Sequence, residues 1–301
     1  MSDVLTNTGA AAIADRALGA YLGLAIGDAL GATVEFMTPR EIVATLGVHR
    51  DITGGGWLKL KPGQVTDDTT MSLALGAAIV ARGGFVARDV AEAFAGWLRG
   101  KPVDCGNACR RGIRRYLDDG SLEGPYNEGD GGNGAVMRNL PVALAALHDD
   151  AAFAAWSLAQ ARITHHHAQS DVATLAIGRM TRRLVLGEGD AGLRAESADF
   201  IAQHREFAHT PWPGRASGYV VDTVQTVLHH VLAIDDFEQC VIAVVNRGDD
   251  ADTTGALAGM LAGARCGASA LPARWLARLD PVIAAQIRAQ TADLLKIADV
   301  A

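Results

Sequence analysis

Apolar residues recur at helical spacing along almost the whole of this 301-residue chain. Positions i, i+3 and i+4 are apolar in one segment after another, which is typical of a helix that buries one face. The segments with this pattern are 17–30, 69–81, 90–98, 109–117, 136–147, 151–163, 172–186, 219–233, 237–245, 254–265 and 282–297. No run alternates apolar and polar residues as a half-buried strand does, and no Asn-Gly pair joins two β-branched runs. The sequence therefore predicts an all-α fold.

Residues at the predicted helix ends support several of these boundaries. Acidic and hydroxyl side chains are favourable at helix starts, and glycine is favourable just beyond helix ends. The candidates at starts are Asp89, Ser170-Asp171 and Asp280-Pro281, and those at ends are Gly100, Gly120, Gly187 and Gly267. Aromatic residues make up only 5% of the chain, whereas alanine and glycine are abundant. Because small side chains let helix axes approach closely, we expect one compact, orthogonal helical domain over residues 1–301.

The net charge, the number of cysteines and the first residues of the chain argue against several classes of protein. Acidic residues outnumber basic ones by 34 to 27, for a net charge of −7, and no basic cluster favours nucleic acid. The four cysteines are too sparse for a disulfide framework, so we expect free thiols. Residues 1–8 carry no basic region, and Asp28 interrupts the first apolar stretch shortly after residues 20–26. This predicts neither a signal peptide nor a membrane span, and we expect a cytoplasmic protein that reaches a membrane only through a partner.

Two short acidic motifs, far apart in the chain, each begin a predicted helix. They are Thr66-Asp67-Asp68-Thr69-Thr70 and Asp249-Asp250-Ala251-Asp252-Thr253-Thr254. One interpretation is helix capping, which needs a single acceptor. Each motif instead offers two or three carboxylates, and a cation would relieve their mutual repulsion. Carboxylate and hydroxyl oxygens suit Mg²⁺ or Mn²⁺ rather than zinc, so we predict a site where the two motifs hold two ions that share a carboxylate.

A glycine-rich loop, Gly129-Asp130-Gly131-Gly132-Asn133-Gly134, matches the spacing of a dinucleotide-binding fingerprint. That fingerprint follows a buried strand, whereas the preceding residues 121–128 do not have the sequence of one. Two interpretations remain open: an ordinary flexible loop, or a cradle for a pyrophosphate formed by backbone amides and a helix N-terminus.

Several single residues could carry chemistry. Asp104, in the turn 101–107, is either a helix cap or a catalytic carboxylate, and Glu35 ends an apolar segment in which an acid needs a partner. His165-His166-His167 cannot all face one site, so either they favour a helix C-terminus or one of them reaches a substrate. His229-His230 lies within a predicted helix, where packing is the simpler explanation.

Other helical enzymes fit less well. Isoprenoid synthases bind Mg²⁺ through D-D-x-x-D, but here Met71 stands in place of the last aspartate. A phosphohydrolase of the His-Asp type could use His148-Asp149, for which His49 is the only upstream histidine.

The motifs, in the order in which they occur along the chain, resemble those of the ADP-ribosylglycohydrolase family. The resemblance is carried by Gly27-Asp28-Ala29-Leu30-Gly31 with Glu35, then Thr66-Asp67-Asp68-Thr69, Asn133-Gly134-Ala135-Val136-Met137-Arg138 and Asp250-Ala251-Asp252-Thr253-Thr254-Gly255-Ala256. It spans nearly the whole chain, about residues 20–265, and implies an all-α hydrolase with a binuclear Mn²⁺ or Mg²⁺ centre. The usual double glycine before the last motif is Gly248-Asp249 here, which leaves the role of Asp249 open.

The resemblance also implies site residues. The metal ligands would be Thr66, Asp67, Asp68, Asp250, Asp252 and Thr253. The catalytic acids would be Asp104 and Glu35, and ADP-ribose would lie against Asn107, Glu128, Gly131, Gly132, Asn133, Gly134, Met137, His165 and Tyr219.

The members that the chain most resembles imply hydrolysis of ADP-ribose from a modified arginine of dinitrogenase reductase, the nitrogenase iron protein. They also imply a PII signalling protein and, through it, an ammonium transporter as partners. An alternative is a non-catalytic ADP-ribose-binding regulatory protein, although the intact acidic motifs favour an enzyme.

Overall fold

The computed structural model describes residues 2–299, with side chains from residue 9 onward. The side chains of residues 1–8, on which the expectation about a targeting signal depends, lie outside this range. The helices are α1 (Ser2–Gly31), α2 (Pro39–Leu46), α3 (Asp67–Arg82), α4 (Ala87–Arg99), α5 (Asn107–Asp119), α6 (Leu140–Ala145), α7 (Asp150–Arg162), α8 (Ala168–Leu186), α9 (Gly189–Gln203), α10 (Val220–Ala233), α11 (Phe237–Val245), α12 (Ala251–Cys266), α13 (Ala273–Leu276) and α14 (Pro281–Ala298). Within residues 2–299 there is no strand, which confirms the all-α prediction.

Most predicted boundaries agree with the structure, and the exceptions have local causes. Gly100, Gly120, Gly187 and Gly267 each follow the last residue of a helix, and Asp280 caps α14 through its side chain. The predicted helix 136–147 is wrong at its start, because α6 begins at Leu140. Pro141 has no N–H to donate to the preceding turn, so it stands near the start of a helix. The predicted start at Ser170-Asp171 is also wrong, since α8 begins at Ala168 after His167.

Helices α1 and α12 cross in close backbone contact along two rows of glycines. A Cβ on Gly23 would lie 2.1 Å from the carbonyl oxygen of Gly259, and one on Gly27 would lie 1.9 Å from that of Gly255. The same relationship holds for Gly19 with Gly263, where the distance is 2.3 Å. Because these approaches are to backbone atoms, which cannot move aside, only glycine fits. The glycine rows therefore set the distance between the two helices.

This contact is antiparallel and brings the end of α1 to the start of α12. A Cβ on Gly31 would lie 2.0 Å from the carbonyl oxygen of Ala251, the first residue of α12. Residues 251–264 of α12 are all buried, so this helix forms the centre of the molecule. Residues 28–36 consequently lie beside the second acidic motif.

One stretch within α1, Gly9–Gly31, is long and apolar enough by length and composition to cross a membrane. In the structure the part of it from Ala17 onward is largely buried and packs against α12. Core helices pass the same test of length and composition, so this observation is weak support for a membrane span.

Candidate metal centre and substrate cleft

Asp28 of α1 holds the start of α3. Its carboxylate accepts hydrogen bonds from the backbone amides of Thr66 and Thr69, at 2.9 Å and 3.1 Å, and from both of their hydroxyls, at 2.9 Å and 2.5 Å. Burial raises the pKa of Asp28 to about 6, and these four bonds oppose that rise. A side chain from another helix thus satisfies the Thr69 N–H, one of the free N–H groups in the first turn of α3.

The residues that directly precede α3 and α12 do not cap these helices with their side chains. Neither Thr66, before α3, nor Asp250, before α12, makes a side-chain capping bond. Instead, the Thr66 hydroxyl lies within 3.4 Å of a carboxylate oxygen of Asp68 and of Asp252, and the Thr253 hydroxyl lies 3.3 Å from Asp68. The oxygens of both motifs therefore face one another, and capping does not explain them.

Five carboxylates form two overlapping groups around Asp252. One oxygen each of Asp67, Asp68 and Asp252 lie within 4.8 Å of one another. The same holds for Glu35, Asp104 and Asp252. Since Asp252 belongs to both, the geometry suits two cations that share one carboxylate, as in two-metal hydrolases.

The electrostatics of this cluster favour the binding of a cation. Burial, followed by repulsion between the carboxylates, raises the pKa of Glu35 to about 8 and that of Asp67 to about 7. For Asp250, burial raises the pKa to about 6. The pKa values of Asp68 and Asp252 lie well above the usual range for the same causes. Divalent ions would favour the ionised forms and remove this repulsion.

One buried oxygen provides a direct test of whether the residues fit a metal. Asp68 Oδ1 is buried and has no hydrogen-bond partner among the described residues. A buried carboxylate oxygen without a partner is costly, because nothing replaces its lost hydration. Coordination to a divalent cation is the ligand chemistry that would satisfy it, so the donor set fits Mg²⁺ or Mn²⁺.

A cleft of about 420 Å³ opens above the carboxylates. Its lining includes most of the residues to which a site role was assigned from sequence: Glu35, Asp67, Asp104, Asn107, Gly132, Asn133, Gly134, Met137, His165, Asp250, Asp252 and Thr253. Thr66 and Asp68 lie buried beneath it and contact Asp252 or Thr253. The tertiary structure thus brings residues from six separate stretches of chain to one site.

Three of the expected substrate-binding residues lie outside the lining of the cleft. Glu128 is exposed and accepts a hydrogen bond from the Tyr126 hydroxyl. Tyr219 is half-exposed and donates to Gln169. A Cβ on Gly131 would lie 3.3 Å from the Tyr219 ring, so this glycine packs against Tyr219.

The glycine-rich loop is pinned to the second acidic motif. Asn133 Nδ2 donates to Asp250 Oδ2 at 2.5 Å and to the Thr223 hydroxyl at 2.9 Å, and the Asn133 amide donates to the Gly218 carbonyl. Among the described residues, none accepts a hydrogen bond from the amides of Gly132 or Gly134. The loop is therefore held rigidly with free N–H donors, although α6 begins too late to supply the helix N-terminus expected there.

His165 is held as a neutral imidazole in one tautomer. Burial, and then the charge of Arg138, lower its pKa to about 3. Arg138 Nη2 donates to Thr164 Oγ1 at 2.7 Å, and that hydroxyl lies 2.8 Å from His165 Nδ1. Arginine only donates, and among the described hydrogen bonds Nδ1 is the one acceptor for the hydrogen of the Thr164 hydroxyl. This arrangement favours the tautomer with the proton on Nε2, which is 3.4 Å from the Cβ position of Gly132.

Two aromatic residues at the rim of the cleft have no role that was predicted from the sequence. Phe36 and Trp57 line it, with their ring centroids 5.3 Å apart. Trp57 Nε1 donates to Glu35 Oε2 at 2.6 Å. The one signal in the sequence for Phe36 is its position directly after the predicted catalytic Glu35.

The remaining sequence-based candidates lie elsewhere or act through their backbone. Gly106 is the N-cap of α5, so the capping alternative for Asp104 is wrong. Asp249 is exposed, and its backbone pairs with residues 36 and 37. Asp149 caps α7, and neither it nor His148 lines the cleft, so the structure gives no support to a His-Asp phosphohydrolase site. His230 is buried against Thr226 and Arg247, in agreement with packing.

The fold and this acidic cleft define a helical hydrolase of the type that acts with divalent ions. A family model described as ADP-ribosylglycohydrolase matches residues 9–300. A solved structure described as an ADP-ribosylglycohydrolase-related protein complex superposes with a TM-score of 0.83 and 33% identity, over 95% of this chain and 99% of that one. This chain belongs to the ADP-ribosylglycohydrolase family.

Two curated relatives show which members of the family this chain is similar to. The ADP-ribosyl-[dinitrogen reductase] glycohydrolase of Rhodospirillum rubrum is 56% identical over 94% of this chain and 97% of its own length. The ADP-ribosylarginine hydrolase Tri1 of Pseudomonas putida is 34% identical over 88% of this chain and 74% of its own length.

Proposed function

We propose that this protein removes ADP-ribose from a modified arginine of a target protein, and that the target is dinitrogenase reductase. The observation that carries the proposal is the pair of carboxylate groups that share Asp252 at the floor of the cleft. The names of the two relatives, one referring to dinitrogen reductase and one to ADP-ribosylarginine, support the substrate.

The metal ligands would be the oxygens of the two acidic motifs (Thr66, Asp67, Asp68, Asp250, Asp252, Thr253). We propose two ions, Mn²⁺ or Mg²⁺, because each motif supplies two carboxylates and a hydroxyl, and Asp252, which belongs to both carboxylate groups, can contribute an oxygen to either ion. When bound, such ions orient ribose hydroxyls and a water molecule and stabilise developing negative charge on oxygen.

Other groups of the cleft would bind the substrate, stabilise developing charge and transfer protons. The amides of Gly132 and Gly134 and the Nε2–H of His165 bind the pyrophosphate, since they are fixed donors to an anion. Loss of the guanidine gives the ribose carbon oxocarbenium character, which the surrounding carboxylates stabilise. Glu35 and Asp104 lie beside Asp252, and one of them moves the proton to or from the reacting groups.

The decisive experiment is release of free ADP-ribose from arginine-modified dinitrogenase reductase by the manganese-loaded protein. We expect release that stops with EDTA and returns with Mn²⁺. A substrate with ADP-ribose on serine serves as the control for linkage, because its leaving group is an alcohol and not a guanidine. Failure to release ADP-ribose from the arginine-modified protein contradicts the proposal.

The partners beyond the substrate are a further part of the proposal. A PII signalling protein, and through it an ammonium transporter, would recruit the enzyme to the membrane and away from its substrate. Co-sedimentation of the protein with membranes that contain both partners, but not with membranes that lack PII, tests this.

A further inference from the structure

We propose that Phe36 and Trp57 form the docking surface for the arginine side chain of the modified protein. These two residues are called the aromatic lip below. The inference rests on the proposed function and adds where the protein part of the substrate lies and what recognises it.

The lining of the cleft contains two groups of residues that differ in chemistry. In the first group, the Gly132 and Gly134 amides and His165 Nε2–H are donors, which suit the anionic pyrophosphate. In the second group, Glu35 contacts the aromatic lip, which offers no donor to an anion because the Trp57 N–H is already bonded to Glu35. The substrate is itself asymmetric, with an anionic pyrophosphate and a cationic guanidinium. Matching charges therefore orients the guanidinium toward the aromatic lip.

The rings of the lip are free to bind a ligand. Phe36 is 62% exposed and Trp57 is 51% exposed, although both line the cleft. The face of an aromatic ring attracts a guanidinium, and stacking also covers the methylene groups of the arginine side chain. Glu35 lies directly beside the rings and adds a carboxylate to the surroundings of the cation.

The lip is also held rigidly before any ligand binds. The Phe36 amide donates to the Asp249 carbonyl at 2.6 Å, and the Asp249 amide donates to the Met37 carbonyl at 2.8 Å. These bonds hold Phe36 at φ +63°, a conformation that residues other than glycine rarely adopt and that is often retained at binding sites. Because the Phe36 backbone is held in place and Trp57 Nε1 is bonded to Glu35 Oε2, less conformational entropy is lost when an arginine stacks against the lip.

The test compares a peptide that contains ADP-ribosylated arginine with ADP-ribose itself, which lacks the guanidinium. Phe36→Leu and Trp57→Leu remove the aromatic faces but keep apolar bulk, and Phe36→Leu keeps the same backbone strain. Trp57→Phe keeps an aromatic face but removes the N–H that binds Glu35. Val282→Ala is the control, since Val282 is also 62% exposed and does not line the cleft.

We expect Phe36→Leu and Trp57→Leu to raise KM for the peptide roughly 3- to 30-fold, the range of a cation–π contact. The inhibition constant of ADP-ribose and kcat of Phe36→Leu stay within about twofold of the wild-type values, because neither depends on stacking of the guanidinium. Trp57→Phe lowers kcat and leaves KM close to that of the wild type. An unchanged KM for the peptide in both leucine variants, or an equal loss of affinity for ADP-ribose, overturns the proposal.

Failure of the proposed function has a different signature. A wild-type protein that does not hydrolyse the peptide contradicts the hydrolase function. Binding of the intact peptide to that protein can still be measured. The ratio of the peptide Kd to the ADP-ribose Kd, measured by fluorescence anisotropy, then reports on the lip directly. An equal ratio in wild type and Phe36→Leu overturns the inference on its own.

Discussion

The carboxylate of Asp28 accepts hydrogen bonds from both the amide and the hydroxyl of Thr66, 38 residues further along the chain. Asp28 lies in the helix whose glycine face packs against α12, and Thr66 is the first residue of the first acidic motif and immediately precedes α3. Through this contact, the packing of α1 on α12 also determines where the carboxylates of α3 lie.

Replacement of Asp28 by asparagine should loosen the start of α3. The amide nitrogen of asparagine cannot accept the bonds that Oδ2 receives from Thr66 and Thr69, so we expect a loss of about 1–3 kcal/mol in the free energy of unfolding. Urea unfolding measures this, and a manganese titration should show weaker binding. Asp15→Asn on the same helix is the control, since its partner Ser269 is exposed. Equal effects of the two variants would sink this account of Asp28.

Replacement of Gly27 by alanine should be severely destabilising. The new Cβ would lie 1.9 Å from the Gly255 carbonyl oxygen, so α1 and α12 must separate, and we expect a loss of about 3 kcal/mol or more. Gly96→Ala in α4 is the matched control, because no atom lies within 4 Å of its Cβ position. That variant should gain roughly 0.5–1 kcal/mol from the better helix propensity of alanine. Thermal unfolding of both proteins checks the opposite signs.

Replacement of Asp252 by asparagine should abolish metal binding without loss of the helical fold. Asp252 belongs to both carboxylate groups, so its charge contributes to either cation site. Manganese at about 100 times its Kd stabilises the wild type by about 2.7 kcal/mol, and we expect this gain to disappear. Without metal the variant should be as stable as the wild type or more so, because a like charge is removed from the cluster. Asp293→Asn, on the exposed side of α14, should respond to manganese as the wild type does.

Metal-free protein should lose stability as the pH rises. The folded-state pKa of Asp67 is raised to about 7 and that of Asp28 to about 6, both above their ordinary value of 3.8. The folded state therefore holds more protons than the unfolded state in this range, and its stability falls between about pH 4 and pH 7. We expect a fall of roughly 2–5 kcal/mol in EDTA. Saturating Mn²⁺ should reverse the slope, because the ions bind ionised carboxylates; thermal melts from about pH 5 to pH 8 measure both.

Replacement of Thr164 by valine should release the tautomer of His165. Valine cannot donate to Nδ1, so the proton is free to move from Nε2, and the donor that faces the glycine loop is lost in part. Nitrogen-15 NMR of the imidazole should show a mixture of tautomers, and ADP-ribose affinity should fall about 5- to 10-fold. Thr164→Ser keeps the hydroxyl and should restore both values. A wild-type spectrum with the proton on Nδ1 would contradict the assignment made from the hydrogen bonds.

Local signals explain both the successes and the failures of the helix predictions. Helices α3, α5 and α14 begin with residues whose chemistry suits a helix start or a preceding turn, and these starts were found within two residues. Helix α2 was missed although Thr38, Pro39 and Glu41 form a capping box with proline in the first turn, because only one of its residues is buried. Helix α9 was missed because it contains two glycines and its large apolar residues are only Leu193, Phe200 and Ile201, which weakens its pattern.

The chemistry of the site was already legible in the chain, because metal binding needs particular residue types at close spacing. Two acidic motifs with hydroxyls are recognisable wherever they fold, and so is a glycine-rich loop. Contacts between distant residues leave no such local trace. The glycines of α1 and α12 do recur every fourth residue, but that spacing does not say which helices will meet.

Residue order alone thus decided that the chain is helical, that its carboxylates suit hard divalent ions and that it resembles one family of hydrolases. The tertiary structure decided that Asp252 joins two carboxylate groups, that Asp28 holds α3 in place and that Trp57 contacts Glu35. The physical reason is that helical period and ligand type are properties of neighbouring residues. The distance between two carboxylates depends instead on how closely two helices pack, and here backbone contact between glycines of α1 and α12 sets that distance.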